Sequence, residues 1–394
     1  MLTSTKNKPL VGLDIEAGSI AATEVRQNGR DELAGFGVMA LDAGVFREGE
    51  VADVEGLTEA LKQLWSEQKL TKDIRLGIAN QRVAVRTLRL PVIEDHDELD
   101  TAIRFQAQDQ LPMPLDQSVL DWQTVGRTPV EDGSERLDVI AVAARRDMLG
   151  KMLDAVRGAG LRPRGFDLSA FGMVRALHTG KHASVTPGDF VTAPAPGAPS
   201  YEERIRGADA AVDSAPAYEP EPTEAAMVDV TPARLYCNLG DVTNLAVARG
   251  SVCLFTRVSP FGMEGIAQKL AERRGLTLEH AREWLSHVGL QRPIEEIDGD
   301  AETVRTARDC LAEGSARLVD ELRGSLEYYS ALDAAVPVEG VVACGPGATI
   351  EGLAERLQRE LGQRFEVGRA GALAHLPEPE AARLTLSFGL ALEE

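Results

Sequence analysis

The chain has no run of about eighteen apolar residues, so nothing in it reads as a membrane-spanning helix. Its first residues, MLTSTKNKPL, lack the apolar core of a secretory signal. The mature protein is therefore expected to start here and to be cytoplasmic. Basic residues are in deficit: 42 Lys and Arg stand against 62 Asp and Glu, a formal net charge of −20. That balance argues against nucleic acid as a partner and against direct binding to anionic lipid, so any membrane association is expected to run through another protein. Cysteine is scarce. Cys237, Cys253, Cys310 and Cys344 lie far apart with no CxxC pair, and three sit in apolar, strand-like surroundings. This is the pattern of small buried hydrophobes in a reducing compartment. The histidines form no ligand cluster; His280 and His287 could share a helix face, but nothing nearby completes a metal site. No metal ligand and no catalytic residue is assigned.

What is present suits a soluble globular protein. With 394 residues, 44% of them apolar, the chain can build two large domains or several smaller ones. One segment is foreign to the rest. Residues 187–232 hold 8 of the 20 prolines, and residues 201–230 carry eight acids against two arginines. Such a stretch cannot bury enough apolar surface to offset its ordering entropy, which predicts an acidic, Pro-rich disordered linker over 183–232.

The two halves flanking this segment open alike. VGLDIEAGSIAATEVRQNGR (11–30) and LYCNLGDVTNLAVARGS (235–251) each read as a strand, a turn of small polar residues, a second strand and a hairpin, at Asn28-Gly29 or Arg249-Gly250. Superposition pairs Asp14 with Asn238, Glu16 with Gly240 and Ser19 with Thr243, a weak internal repeat. Amphipathic helices are predicted over 55–68, 98–111 (with Asp97 as N-cap), 146–159, 264–273, 278–287 and about 301–332. Strands are predicted at 74–79 and in VEGVVACGPG (338–347). Strands alternate with helices, so the class is α/β.

Strand–turn–strand units of this kind are what a phosphate cradle requires. Backbone N–H groups of a tight turn wrap a phosphate when small residues let the main chain approach, and a carboxylate at the strand end can orient a water on Mg²⁺. The first turn offers Asp14, Gly18 and Ser19; the second offers Asn238, Gly240 and Thr243; a third, CGPGATIEGL (344–353), could hold an adenosine through Gly345 and Gly347.

These turns, with further segments, resemble the actin and FtsA superfold and, within it, the type IV pilus assembly protein PilM family. The resemblance covers most of 9–180 and 233–393. Its carrying residues are GLDIEAGSI (12–20), LRLPVIEDHDELDTAIRFQAQDQLPMPLDQSVLDWQTV (88–125), LDVIAVAARRDML (137–149), GLRPRGFDLSAFGMVRAL (160–177), VARGSVCLFTRVSPFG (247–262), LRGSLEYY (322–329) and LSFGLAL (386–392). It implies a duplicated ribonuclease-H-like, actin-like two-lobed fold: a first lobe over 9–88 with 163–181, an inserted assembly subdomain over 89–162, the linker, and a second lobe over 233–394 with a helical subdomain at about 263–337. By resemblance, PilM-like proteins grip the short cytoplasmic tail of the membrane protein PilN. The expected location is thus cytoplasmic, peripheral at the inner membrane through that partner, and the expected partner-binding residues are Leu111, Pro112, Met113, Pro114 and Leu115. The net negative charge is expected to suit a tail carrying basic residues.

The departures from the family pattern concern the nucleotide. The family usually has a glycine where this chain has Glu16 and a lysine where it has Ala21. A catalytic-site aspartate is replaced by Asn238, and an expected acid appears as Ser169. The double glycine after the second turn reads Gly262-Met263, and Pro346 interrupts the adenosine turn. The expectation is an adaptor whose ATP or ADP binding, with Mg²⁺, is weak or lost. Its competitors are an active ATPase that cycles conformation, disfavoured by Glu16 and Asn238, and an FtsA-like filament former, disfavoured by the lack of an amphipathic membrane helix after the last strand–helix unit.

Overall fold

A meander of β1 (Leu10–Ile15), β2 (Ser19–Gln27) and β3 (Asp31–Ala40) starts the fold, followed by the two-residue strands β4 (Phe46–Arg47) and β5 (Glu50–Val51). The chain is seen here as a computed structural model that describes residues 8–27, 31–129, 134–178, 182–184, 232–332 and 335–392. The expected linker, apart from its two ends, and the Asn28-Gly29 turn lie outside the described residues. Helix α1 (Val54–Gln68) starts on Asp53, whose carboxylate accepts from the Glu55 and Gly56 N–H groups, and buries Leu57, Leu61, Leu64 and Trp65.

After β6 (Asp73–Ile78) the chain leaves the first sheet to build β7 (Ala84–Pro91), α2 (His96–Gln110), β8 (Ser118–Pro129) and β9 (Glu135–Arg145). It returns to that sheet through α3 (Arg146–Gly158) and β10 (Arg162–Leu168), then passes by α4 (Ser169–Leu177) to β11 (His182–Ser184), a strand of the second sheet. The α2 cap is Asp95 rather than Asp97: Asp95 accepts from the Asp97 and Glu98 N–H groups, which places Asp97 in the first turn. A negative charge there also suits the helix dipole.

The second half contains β12 (Ala233–Leu239), β13 (Thr243–Arg249), β14 (Val252–Ser259), α5 (Met263–Arg274), α6 (Leu278–Val288), α7 (Ala301–Ser330), β15 (Val338–Cys344), α8 (Leu353–Leu361), β16 (Phe365–Gly368) and α9 (Glu378–Ala391). Strands and helices fall where periodicity predicts them, to within a residue or three.

The two sheets are copies. The first runs β10-β6-β1-β2-β3 and the second β11-β16-β15-β12-β13-β14. In each, the opening strand pairs antiparallel with the next and parallel with a later one, β1 with β6 and β12 with β15. The repeat seen in the sequence is therefore a duplicated ββ-meander with parallel additions. Its register needs one adjustment. Ile15 faces Ile20 across the first turn, whereas Leu239 faces Thr243 across the second, so the second turn is one residue shorter. Thr243 is the counterpart of buried Ile20, not of Ser19.

Between the sheets lie α4 and α9, packing on β1, β2, β6 and β10 of one and β12, β13 and β14 of the other. Their contact is backbone on backbone: a Cβ on Gly389 would stand 1.8 Å from the Gly172 carbonyl oxygen. The sheet β7-β9-β8 and α2 have a core of their own, with Leu88, Leu90, Leu99, Ile103 and Val139 at its centre. Helix α3, placed by sequence in the insert, joins the first-lobe core through Met148, Leu149, Met152 and Val156, packed on α1. All four cysteines are buried free thiols.

Candidate functional site

The β1–β2 and β12–β13 turns meet face to face between the two sheets. In the first, Glu16 N–H donates to Ser19 O at 2.9 Å, closing a tight loop with its N–H groups pointing across the cleft. Something fills that nest. The Asp241 carboxylate, from the second turn, accepts from Gly18 N at 3.1 Å and from Ala17 N–H. The exchange is reciprocal, because the Glu16 carboxylate accepts from Asp241 N–H and, at 3.4 Å, from Asn238 Nδ2. Each turn thus spends its backbone donors on an acid from the other, where a phosphate cradle would spend them on phosphate.

The small residues around the turns serve this exchange. A Cβ on Gly240 would stand 2.0 Å from Glu16 Oε1, so only glycine admits that carboxylate. A Cβ on Gly18 would stand 2.5 Å from the Arg282 guanidinium carbon; Arg282 in turn pairs with Glu264 at 2.7 Å. Gly262 packs on the second turn, with Met263 N–H donating to Gly240 O at 2.8 Å. Gly345 has φ of 85° and closes on Asn238 Oδ1, which also accepts from Cys344 Sγ at 3.7 Å. Gly347 lies against Leu239 and Met263. Thr243 has turned away, its hydroxyl donating to Phe261 O at 2.7 Å.

Burial and mutual repulsion set the protonation of the acids. Burial, reinforced by the Asp241 charge, pushes Asp14 up to about 7 against a Ser169 hydrogen bond. Glu16 is raised well above the usual carboxylate range by burial and then by Asp241 and Asp14. Asp241 is pushed up to about 6 by burial and Glu264, opposed by Arg282 and the two N–H donors. Asn238 suits this cluster, since its amide donates to Glu16 where an aspartate would repel it.

The sequence-named Asp14, Gly18, Ser19, Asn238, Gly240, Gly262, Gly345 and Gly347 therefore come together at one place. The cavities left among them measure about 10 Å³, lined by Asp14, Glu16, Ser19, Ala21, Asn238 and Pro346, and about 30 Å³ beside Asp241 and Ser169. The larger is about the share of one water molecule. A nucleotide triphosphate does not fit this arrangement, and no cluster of metal-ligating side chains occurs among the described residues. Sequence reasoning passed over Asp241 and Arg282. The signal for Asp241 was an acid in each turn, offset along the chain so that the two can pass each other.

The 111–115 segment stands elsewhere. Leu111 is buried in the core of the insert, Met113 and Leu115 pack against that core, and Pro112 and Pro114 are exposed.

Two duplicated sheets with paired turns between them, joined by crossing helices, define a two-lobed protein of the actin-like fold. The structure of a PilM–PilN type IV pilus biogenesis complex matches with a TM-score of 0.69 at 22% identity, covering 97% of each chain. The ethanolamine utilization protein EutJ from Carboxydothermus hydrogenoformans matches at 14% identity with TM-score 0.48, over 98% of this chain and 89% of that one. MreB5 of Spiroplasma citri, bound to ADP, matches at 10% identity with TM-score 0.47, over 93% and 94%. Residues 12–188 match the family model described as type IV pilus assembly protein PilM.

Proposed function

We propose that this chain is an adaptor of type IV pilus assembly that holds the cytoplasmic tail of a PilN-like inner-membrane protein and does so without turning over ATP. The family match supports the pilus role, and the named partner of the similar structure supports the kind of partner. One observation carries the loss of turnover: the Glu16 and Asp241 carboxylates sit on the backbone donors that phosphates need. Hydrolysis in this fold requires charge preorganised around Mg²⁺ and the transferring phosphoryl group. Here Asp14 is held partly protonated near neutrality, and its second-turn counterpart is the neutral Asn238. On this reading the protein works at the cytoplasmic face of the inner membrane through its partner. The assembly surface on this reading is the insert, whose core residues run from Ala84 to Ala143.

The test is fluorescence anisotropy with a labelled peptide from the N-terminal tail of a PilN-like protein. Saturable binding, equal with and without Mg·ATP, is the expected result. No binding to the intact protein would remove the partner, and steady phosphate release by the wild type would remove the silent-ATPase half.

A further inference from the structure

Two sheet edges face each other without pairing. β7 is an outer strand of the insert sheet and β14 an outer strand of the second sheet. Between them lies a groove of about 1010 Å³, continued by a chamber of about 350 Å³, the two sharing Val85, Arg86, Thr256 and Arg257 as walls. Six consecutive β14 residues, from Val252 to Arg257, line the groove. That is about 20 Å of open strand edge, the length of an ordinary strand. Unpaired edges of this length are commonly covered in native proteins, because they template pairing with another chain.

The walls show what would cover this one. Of the five large hydrophobic side chains exposed among the described residues, Val252, Tyr328 and Leu332 line this groove. Its charged lining is Arg86, Arg89, Arg249 and Arg257 against the single acid Asp138, which already pairs with Arg89 at 3.2 Å. The local charge is thus opposite to the net charge of the molecule. The inner chamber supplies an independent observation. Asn244, 1% exposed, lines it with both Nδ2 and Oδ1 lacking a hydrogen-bond partner. A buried carboxamide left unpaired is costly, and its donor–acceptor pair matches a peptide group.

We propose that this groove takes an extended segment of a partner protein as an added strand along β14, with alternating apolar side chains and at least one carboxylate, and that Asn244 pairs with one of its backbone peptide groups. Main-chain pairing supplies the affinity, the apolar wall the register, and the arginines the preference for acid. The proposal draws on the adaptor reading only for a candidate partner; the groove itself stands on edges, charge and the unpaired amide.

The experiment uses the full chain and three probes. Two are twelve-residue synthetic peptides of alternating valine and threonine, one bearing two aspartates and its twin bearing two lysines; the third is the PilN-like tail. Hydrogen–deuterium exchange should show protection of β14 and β7 amides by the aspartate peptide and none by the lysine twin. Asn244→Leu should raise the melting temperature, because it removes an unsatisfied amide, yet weaken peptide binding about tenfold or more. Arg249→Glu should weaken it without changing the melting temperature. Exposed β14 amides in the presence of the aspartate peptide, or unchanged affinity in Asn244→Leu, overturn the proposal. If the PilN-like tail binds while β14 stays unprotected, the adaptor reading survives and this inference falls. If the aspartate peptide seats on β14 and the tail does not bind, the inference stands and the PilN-like partner falls.

Discussion

At the scale of single residues, the acids in the two turns decide what the cleft can hold. A carboxylate about 5 Å from a phosphate charge, at an effective dielectric near 20, opposes binding by roughly 3 kcal/mol, which is on the order of a hundredfold in affinity. Asp241 adds such a charge as it ionises, while Glu16, held toward its protonated form by burial and its acidic neighbours, acts mainly by occupying N–H donors, as Asp241 also does. The triple variant Glu16→Gly, Ala21→Lys, Asn238→Asp leaves Asp241 in the first nest. It is therefore expected to gain less Mg·ATP affinity in calorimetry than the same variant with Asp241→Gly added. Equal affinities would show that Asp241 does not compete with phosphate. The sequence made half of this legible. Glu16 stood out because the family has glycine there, while Asp241 was hidden in a turn whose length differs by one residue from its copy. Only the paired registers show which backbone donors it reaches.

At the scale of elements, the amphipathic pattern showed which face of each helix is buried but not what buries it. Residues 146–159 read as one more helix of the insert, yet Met148, Leu149 and Met152 enter the first-lobe core against α1, because α3 carries the chain from β9, the central strand of the insert sheet, to β10 of the first sheet. A period reports burial, and partner identity comes from topology. The crossing of α4 and α9 was likewise visible only as the motif LSFGLAL. Its reason is steric: Gly172 and Gly389 let two helix backbones touch, while Thr23 Oγ1 and Ser387 Oγ, 2.6 Å apart, tie β2 to α9. Gly389→Ala must push the helices apart, and overpacking of this kind costs typically 1–3 kcal/mol. Urea unfolding should show that loss with a nearly unchanged slope, whereas Gly324→Ala, on α7 with nothing within 4 Å, should be neutral or slightly stabilising. A neutral Gly389→Ala would mean that the α4–α9 contact is looser than drawn.

At the scale of the whole molecule, the lobes are held together by a cluster whose charge depends on pH. Asp14, Glu16 and Asp241 face one another, with Glu264 and Arg282 behind Asp241 and the neutral Ser169, Asn238 and Cys344 completing the surround. All three carboxyls titrate above their ordinary values in the folded state, so the folded protein binds more protons than the unfolded chain between about pH 4 and the raised values. Stability then falls as pH rises through that window, the opposite of a carboxylate held by an arginine. The contribution is fully present below pH 4, is lost through about 6 for Asp241 and about 7 for Asp14, and is lost for Glu16 as pH rises through its own raised value. Growing repulsion at the turn–turn contact should loosen lobe closure first, since each turn belongs to a different sheet. Small-angle scattering is expected to give a larger radius of gyration at pH 8 than at pH 5.5, with a lower melting temperature. Glu16→Gln keeps an acceptor for Asp241 N–H and removes one charge, so it should shrink both differences. A radius independent of pH in the wild type, or a Glu16→Gln protein with the wild-type pH profile, would show that closure rests on the α4–α9 crossing and not on the facing acids.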